Sequence, residues 1–117
     1  MSWSPCLLND RMKILLDQGT PVPLRVHLVG HKVATTYELG WANLQNSQLL
    51  EAAEEAGYDL LVTTDQNLKY QQNLRGRKLA LLVLLSTSWP RLWAHVETIG
   101  QLIETMEVGE YKEFSLP

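Results

Sequence analysis

Three short apolar runs, each about as long as a β-strand, constrain the fold of this chain more than any other feature. They are MKILLD at 12–17, DLLVTTD at 59–65 and LALLVLL at 79–85. Their cores are nearly continuous in apolar residues, whereas a strand with one face in water alternates apolar and polar residues. Such runs are typical of a parallel sheet that is covered by helices on both faces.

Segments with turn and helix signals lie between the predicted strands. A short helix is expected after the turn QGTP, and a second strand over 31–40 is rich in β-branched residues and ends at Glu38. The segment NSQLLEAAEEAG begins with capping residues and ends at Gly57, which predicts a helix. Apolar residues at three- and four-residue spacing predict a long amphipathic helix from about Pro90. The expected fold is therefore a three-layer α/β/α sandwich with a mainly parallel sheet.

The length and composition of the chain indicate a single globular domain. It has 117 residues, of which 45% are hydrophobic and 20% charged. We expect an N-terminal extension at 1–11, the domain at 12–106 and a C-terminal tail at 107–117, which either adds an edge strand or docks elsewhere. The absence of a membrane-length apolar stretch and of a signal-like N-terminus argues against a membrane partner and against secretion, and the single cysteine, Cys6, fits a reducing compartment. The cytoplasmic location that we expect is inferred from the class of protein described below.

Three of the predicted strands end in a carboxylate. Asp17 ends the first, Glu38 the second and Asp65 the third. Ligands of open parallel sheets bind outside the carboxyl ends of the strands, so the three acids converge if these strands are neighbours. Clustered carboxylates repel one another unless a cation offsets their charge, and Mg²⁺ and Mn²⁺ prefer oxygen ligands. The pattern predicts a divalent metal site; the alternative is that each acid makes a turn or caps a helix.

Three stretches of the chain resemble the small PIN-like nuclease domains, in particular a compact bacterial branch. MKILLDQGTP, GHKVATTYELG and LLEAAEEAGYDLLVTTDQNL have that family's order and spacing, and the match covers about residues 12–87. The resemblance implies metal-dependent cleavage of RNA, often by the toxin of a toxin–antitoxin pair, with a small antitoxin protein as partner. It also implies that Mg²⁺ or Mn²⁺ is bound by Asp17, Glu38 and Asp65, with Asn67 as a further ligand.

The chain departs from the family pattern at positions that usually carry acids. Gln18 follows the first Asp, Asn67 replaces the second Asp of the Thr-x-Asp-x-Asp segment, and NSQ at 46–48 opens the helix. Each change removes negative charge, and an Asn carbonyl ligates Mg²⁺ more weakly than a carboxylate. The alternative function is therefore a PIN-like module that has lost catalysis and binds RNA or a protein partner.

A basic segment, KYQQNLRGRK at 69–78, begins four residues after Asp65. It is predicted to hold RNA phosphates and to stack on a base, or alternatively to be a solvated loop, and its candidate residues are Lys69, Tyr70, Arg75, Arg77 and Lys78. The net charge of the chain is −3, so an RNA-binding surface has to be local.

The tryptophans suggest packing and contact roles. Trp41 is expected to pack over a helix rather than to stack on a nucleotide. Trp89 and Trp93 lie one helical turn apart and are candidates for an antitoxin contact or a homodimer interface, although Trp89 is expected to belong to the core.

Other function classes find less support in the sequence. Zinc is not the expected metal, although His27 and His31 lie four residues apart, and no dinucleotide-binding or P-loop motif occurs. A phosphoacceptor domain of the receiver type shares the doubly wound sheet and has a Ser or Thr after a later strand, as at Ser86 and Thr87. The first strand here nevertheless lacks the paired acids that such a site uses.

Overall fold

A parallel sheet is the centre of the computed structural model, which describes residues 12–28, 30–44, 46–64, 78–86 and 88–115. The elements of this part of the chain are β1 (Lys13–Leu16), a 3₁₀ helix (Val22–His27), β2 (Lys32–Thr35), α1 (Asn46–Glu55), β3 (Leu60–Thr63), β4 (Ala80–Leu84), α2 (Trp89–Trp93), α3 (Val96–Thr105) and β5 (Tyr111–Phe114). The five strands have the order β2-β1-β3-β4-β5, and every neighbouring pair is parallel.

Both faces of the sheet are covered, as the near-continuous apolar strands predict. On one face, buried strand residues pack against the 3₁₀ helix, α2 and α3 through Leu16, Val62, Leu82, Leu24, Leu92 and Ile99. On the other face, the intervening strand residues pack against α1 through Leu15, Leu61, Leu81, Leu49, Leu50 and Ala53. The predicted three-layer α/β/α sandwich is thereby confirmed.

The helix predicted from NSQLLEAAEEAG forms as α1, and Gly57 follows its end. Gly57 has a φ of 85°, a conformation that lets the chain leave the helix at low cost only for glycine. The Lys13 Nζ donates a hydrogen bond to the Ala56 carbonyl at 2.7 Å, and this cation lies 4.5 Å from the centre of the Tyr58 ring. The end of α1 is therefore tied to the start of β1.

The second strand is shorter than predicted. β2 ends at Thr35, and 36–40 form a turn instead of continuing the strand. The Thr36 N–H donates to the Leu16 carbonyl at 3.0 Å, whereas the Glu38 N–H donates to the Thr35 hydroxyl at 3.1 Å. Because the chain folds back on Thr35 at this point, Glu38 belongs to the turn and not to the strand.

Two helix predictions differ in detail from the structure. The short helix after QGTP is a 3₁₀ helix, with Pro21 preceding it and Pro23 in its first turn. The long helix predicted from about Pro90 is divided into α2 and α3 at 94–95. At this break the His95 N–H donates to the Leu92 carbonyl at 2.9 Å. This bond reaches three residues back, as in a 3₁₀ helix, and not four as in an α-helix.

The segment predicted as a C-terminal tail contains β5. This strand pairs in parallel with β4, with Leu82 opposite Lys112 and Leu84 opposite Phe114. The sheet therefore extends beyond residue 106, and the edge-strand alternative applies. Within the described ranges, no helix has both the length and the apolar character needed to cross a membrane.

Candidate active site

Asp17 lies directly after β1, which runs between β2 and β3. Its backbone N–H donates to the Val62 carbonyl at 2.9 Å. Its Oδ2 accepts a hydrogen bond from the Thr63 hydroxyl at 2.8 Å, and its Oδ1 accepts one from the Gln18 N–H at 2.7 Å. A carboxylate has about four lone-pair positions. Asp17 is therefore held in orientation by its neighbours and still has acceptor capacity for a ligand.

Glu38 is held by an ion pair and by the turn that contains it. Its Oε1 accepts from the Arg25 Nη1 at 2.8 Å and from the Thr35 N–H at 3.0 Å. The Arg25 hydrogen bond, followed by the Thr35 N–H, lowers the pKa of Glu38 below its ordinary value. Glu38 is therefore a carboxylate at neutral pH.

One cavity of about 360 Å³ joins the two carboxylates. It is lined by Asp17, Gln18, Thr20, Arg25, Thr35, Thr36, Tyr37 and Glu38. These residues meet because β1 and β2 are parallel neighbours, so that the carboxyl ends of both strands lie at the same edge of the sheet. The predicted convergence of Asp17 and Glu38 on one cavity is what this topology produces.

The end of β3 contacts the turn that follows β1. The Thr63 hydroxyl donates to the Asp17 carboxylate, and the next residue, Thr64, lies beside Gly19. A Cβ atom at Gly19 would lie 2.5 Å from the Thr64 Oγ1, so any other residue at this position would displace the Thr64 side chain. The predicted residues that come next lie outside the described part of the chain; they are Asp65, Asn67, Lys69, Tyr70, Arg75 and Arg77.

Lys78, the one residue of the basic segment that the structure describes, does not line this cavity. It precedes β4, whereas Asp17 follows β1, and parallel strands place these positions at opposite edges of the sheet. Its backbone N–H donates to the Glu54 Oε2 at 2.8 Å, and it lines a separate cavity with Glu54 and Asp59.

The donors at this edge fit a hard divalent cation in type. No group of three or more His, Cys, Asp or Glu side chains that could hold a metal occurs among the described residues. Mg²⁺ usually keeps several waters and is held by one or two protein carboxylates, and Asp17 and Glu38 are the two carboxylates that line this cavity. Within the same part of the chain, Asp17 makes no ion pair, whereas Arg25 already neutralises Glu38.

Sequence reasoning missed several residues of the cavity. The one sequence feature that could have indicated a role for Arg25 is that it is the single charged residue in the segment VPLRVH. Thr36 and Tyr37 were assigned to the predicted strand, which the structure ends at Thr35. Thr20 caps the turn by donating from its hydroxyl to the Val62 carbonyl at 3.0 Å.

The three described tryptophans differ in how far they are buried. Trp41 is partly buried against the core cluster that contains the α1 residues, and it meets Tyr58 edge-on with 6.3 Å between ring centres, as the expected packing role requires. Trp89 is partly buried against the core, and Trp93, 5.9 Å from it, is exposed. His27 contacts Trp93 edge-on at 4.9 Å.

We expect the Arg25→Met substitution to raise the pKa of Glu38, because the guanidinium is the main cause of its lowered value. A lowered folded-state pKa contributes stability above the unfolded-state pKa of Glu38, and that contribution is lost as the pH falls through the folded-state value. A carbon NMR titration of the Glu38 carboxyl measures the change. Arg25→Lys keeps the positive charge and is the control; an unchanged Glu38 pKa in Arg25→Met would contradict the ion pair.

Comparison with protein-family models, curated proteins and solved structures gave no match.

Proposed function

We propose that this protein is a metal-dependent endoribonuclease of the PIN-like type. One observation carries the proposal: Asp17, at the carboxyl end of a central strand, and Glu38, in the turn after the neighbouring strand, line the same cavity. The edge of the sheet where they lie is the edge at which doubly wound folds bind ligands. The sequence motifs that resemble PIN-like domains supply the activity and the substrate class.

The residues of the cavity have distinct roles in this proposal. Asp17 and Glu38 would hold Mg²⁺ or Mn²⁺, with Asp65 and Asn67, which follow β3 in the sequence, as further ligands. A metal held there would polarise the scissile phosphate and lower the pKa of a bound water. Thr63 fixes the Asp17 carboxylate through its 2.8 Å hydrogen bond, so that this side chain does not need to be reoriented when the metal binds.

The cellular role that we propose is that of a toxin in a toxin–antitoxin pair, acting in the cytoplasm. This part of the proposal is supported by the family resemblance of the motifs. The exposed Trp93 and its aromatic neighbours are the proposed contact for a small antitoxin protein or for a second copy of the chain. Tryptophan is enriched at such interfaces because it buries a large area with little loss of side-chain freedom.

A second candidate function is a PIN-like module without catalysis that binds RNA or a protein partner. The observation that favours it is the Arg25–Glu38 ion pair at 2.8 Å, which gives Glu38 a counter-charge from the protein itself. Gln18 and Asn67 also replace acids of the family pattern. In this case the cavity is a binding site, and Arg25 takes the place of the metal as the source of positive charge.

Metal-dependent RNA cleavage by the purified full chain separates the two functions. We expect cleavage of a labelled single-stranded RNA with Mn²⁺ or Mg²⁺, and none when EDTA removes the metal. Calorimetry with Mn²⁺ alone reports the metal site independently of activity. RNA binding without cleavage, together with no saturable Mn²⁺ binding, would contradict the nuclease and support the non-catalytic module.

A further inference from the structure

Tyr37 is an exposed aromatic side chain at the mouth of the cavity. It is 82% exposed, although it lies between the buried Thr36 and the hydrogen-bonded Glu38. It also lines the cavity together with the two carboxylates. The Tyr37 ring therefore contributes little to the packing of the core, and its face is open to a ligand that enters the cavity.

The backbone around Tyr37 is fixed on both sides. The Thr36 N–H donates to the Leu16 carbonyl at 3.0 Å, and the Trp41 N–H donates to the Thr36 carbonyl at 2.8 Å. The Gly40 N–H donates to the Tyr37 carbonyl at 3.1 Å, with Gly40 at a φ of 75°. A ring on such a turn loses little backbone freedom when it binds a ligand, which favours a preorganised contact.

Arg25 supplies positive charge to the cavity. A guanidinium has five N–H donors, and the hydrogen bond of Arg25 to Glu38 uses one of them. The Arg25 side chain is 39% exposed, so its remaining donors are accessible. Two carboxylates repel a phosphate group, and the positive charge of Arg25 offsets this repulsion.

We propose that Tyr37 and Arg25 form a nucleotide subsite for single-stranded RNA beside the carboxylates. The Tyr37 ring stacks on one base, and Arg25 contacts the adjacent phosphate. Every base has a face on which to stack, so this subsite tolerates any sequence at its position. The inference rests on the proposed function, because RNA is the ligand class that the nuclease proposal supplies.

The test is binding of a fluorescein-labelled single-stranded RNA in EDTA, measured by fluorescence anisotropy so that cleavage plays no part. Tyr37→Ala should weaken binding by about fivefold to about 150-fold, the range for loss of one stacked base. Tyr37→Phe keeps the ring and should bind within about twofold of wild type. Arg25→Met should weaken binding to all sequences and reduce the dependence of the affinity on salt.

Trp93→Ala is the control for a general effect of exposed aromatic rings. Trp93 is 54% exposed and does not line this cavity. The inference is overturned if Tyr37→Ala binds like wild type, or if Trp93→Ala weakens binding as much. Wild-type cleavage combined with unchanged binding by Tyr37→Ala would overturn the subsite alone. An absence of both binding and cleavage in wild type would overturn the proposed function with it.

Discussion

Replacement of Asp17 by Asn is expected to reduce Mn²⁺-dependent RNA cleavage by at least about a hundredfold. Groups that only orient a metal ligand already cost about 10- to 100-fold when they are removed, and Asp17 is proposed to be a ligand itself. The Asn side chain keeps the shape and one oxygen acceptor but loses the negative charge. Cleavage rates at saturating Mn²⁺, together with Mn²⁺ calorimetry, measure the loss.

Asp59→Asn is the matched control for Asp17→Asn, because it changes the net charge of the chain by the same amount. Asp59 precedes β3 at the opposite edge of the sheet, where its Oδ2 accepts from the Lys13 N–H at 2.8 Å. An amide oxygen can accept the same bond, so the fold should tolerate the change. Equal cleavage by wild type and a folded Asp17→Asn protein would remove Asp17 from the site.

Truncation of either Leu81 or Leu82 to Ala is expected to lower the free energy of unfolding by about 2–5 kcal/mol. These neighbours in β4 face opposite sides of the sheet, and both are buried, with 2% and 0% of their surface exposed. A total stability of about 5–15 kcal/mol is usual for a domain, so either change removes a large part of it. Urea unfolding of both variants measures the loss.

The pair Leu81 and Leu82 tests the layer architecture directly. In a sheet with only one covered face, one of the two residues would be exposed, and its truncation would cost less than about 0.5 kcal/mol. Val108→Ala is the control, because Val108 is 80% exposed and should tolerate truncation within that limit. A small effect at either leucine would contradict a sandwich with helices on both faces.

The three layers and the position of Asp17 could be predicted from the sequence because both depend on local patterns. A strand whose consecutive residues are apolar has to be covered on both faces, and the sequences of β3 and β4 have this pattern. The end of α1 at Gly57 follows from the conformational freedom of one residue. Asp17 is the residue at which an apolar run stops, so it lies at a strand end.

The surroundings of Asp17 and Glu38 were decided by the tertiary structure. Thr63 lies 46 residues from Asp17 in the chain, and Arg25 lies 13 residues from Glu38, so neither contact has a local signal. Both depend on which strands are neighbours and on the register between them, and strands that are apolar on both faces carry no alternation that would specify the register. For the same reason the sequence could not show that Lys78, which precedes β4, lies at the opposite edge of the parallel sheet from Asp17.

The turn at 36–40 shows the physical reason most directly. Thr, Tyr and other residues with high strand propensity occur in ATTYEL, and local preference alone extends β2 through them. The side-chain hydrogen bonds of Thr35 and Glu38 with this segment offer the backbone an alternative to the sheet ladder, and the strand ends at Thr35. The local apolar pattern therefore determined the layers of this protein. The order of the strands, the local hydrogen bonds between Thr35 and Glu38 and the long-range ones to Asp17 and Glu38 decided which side chains share its cavity.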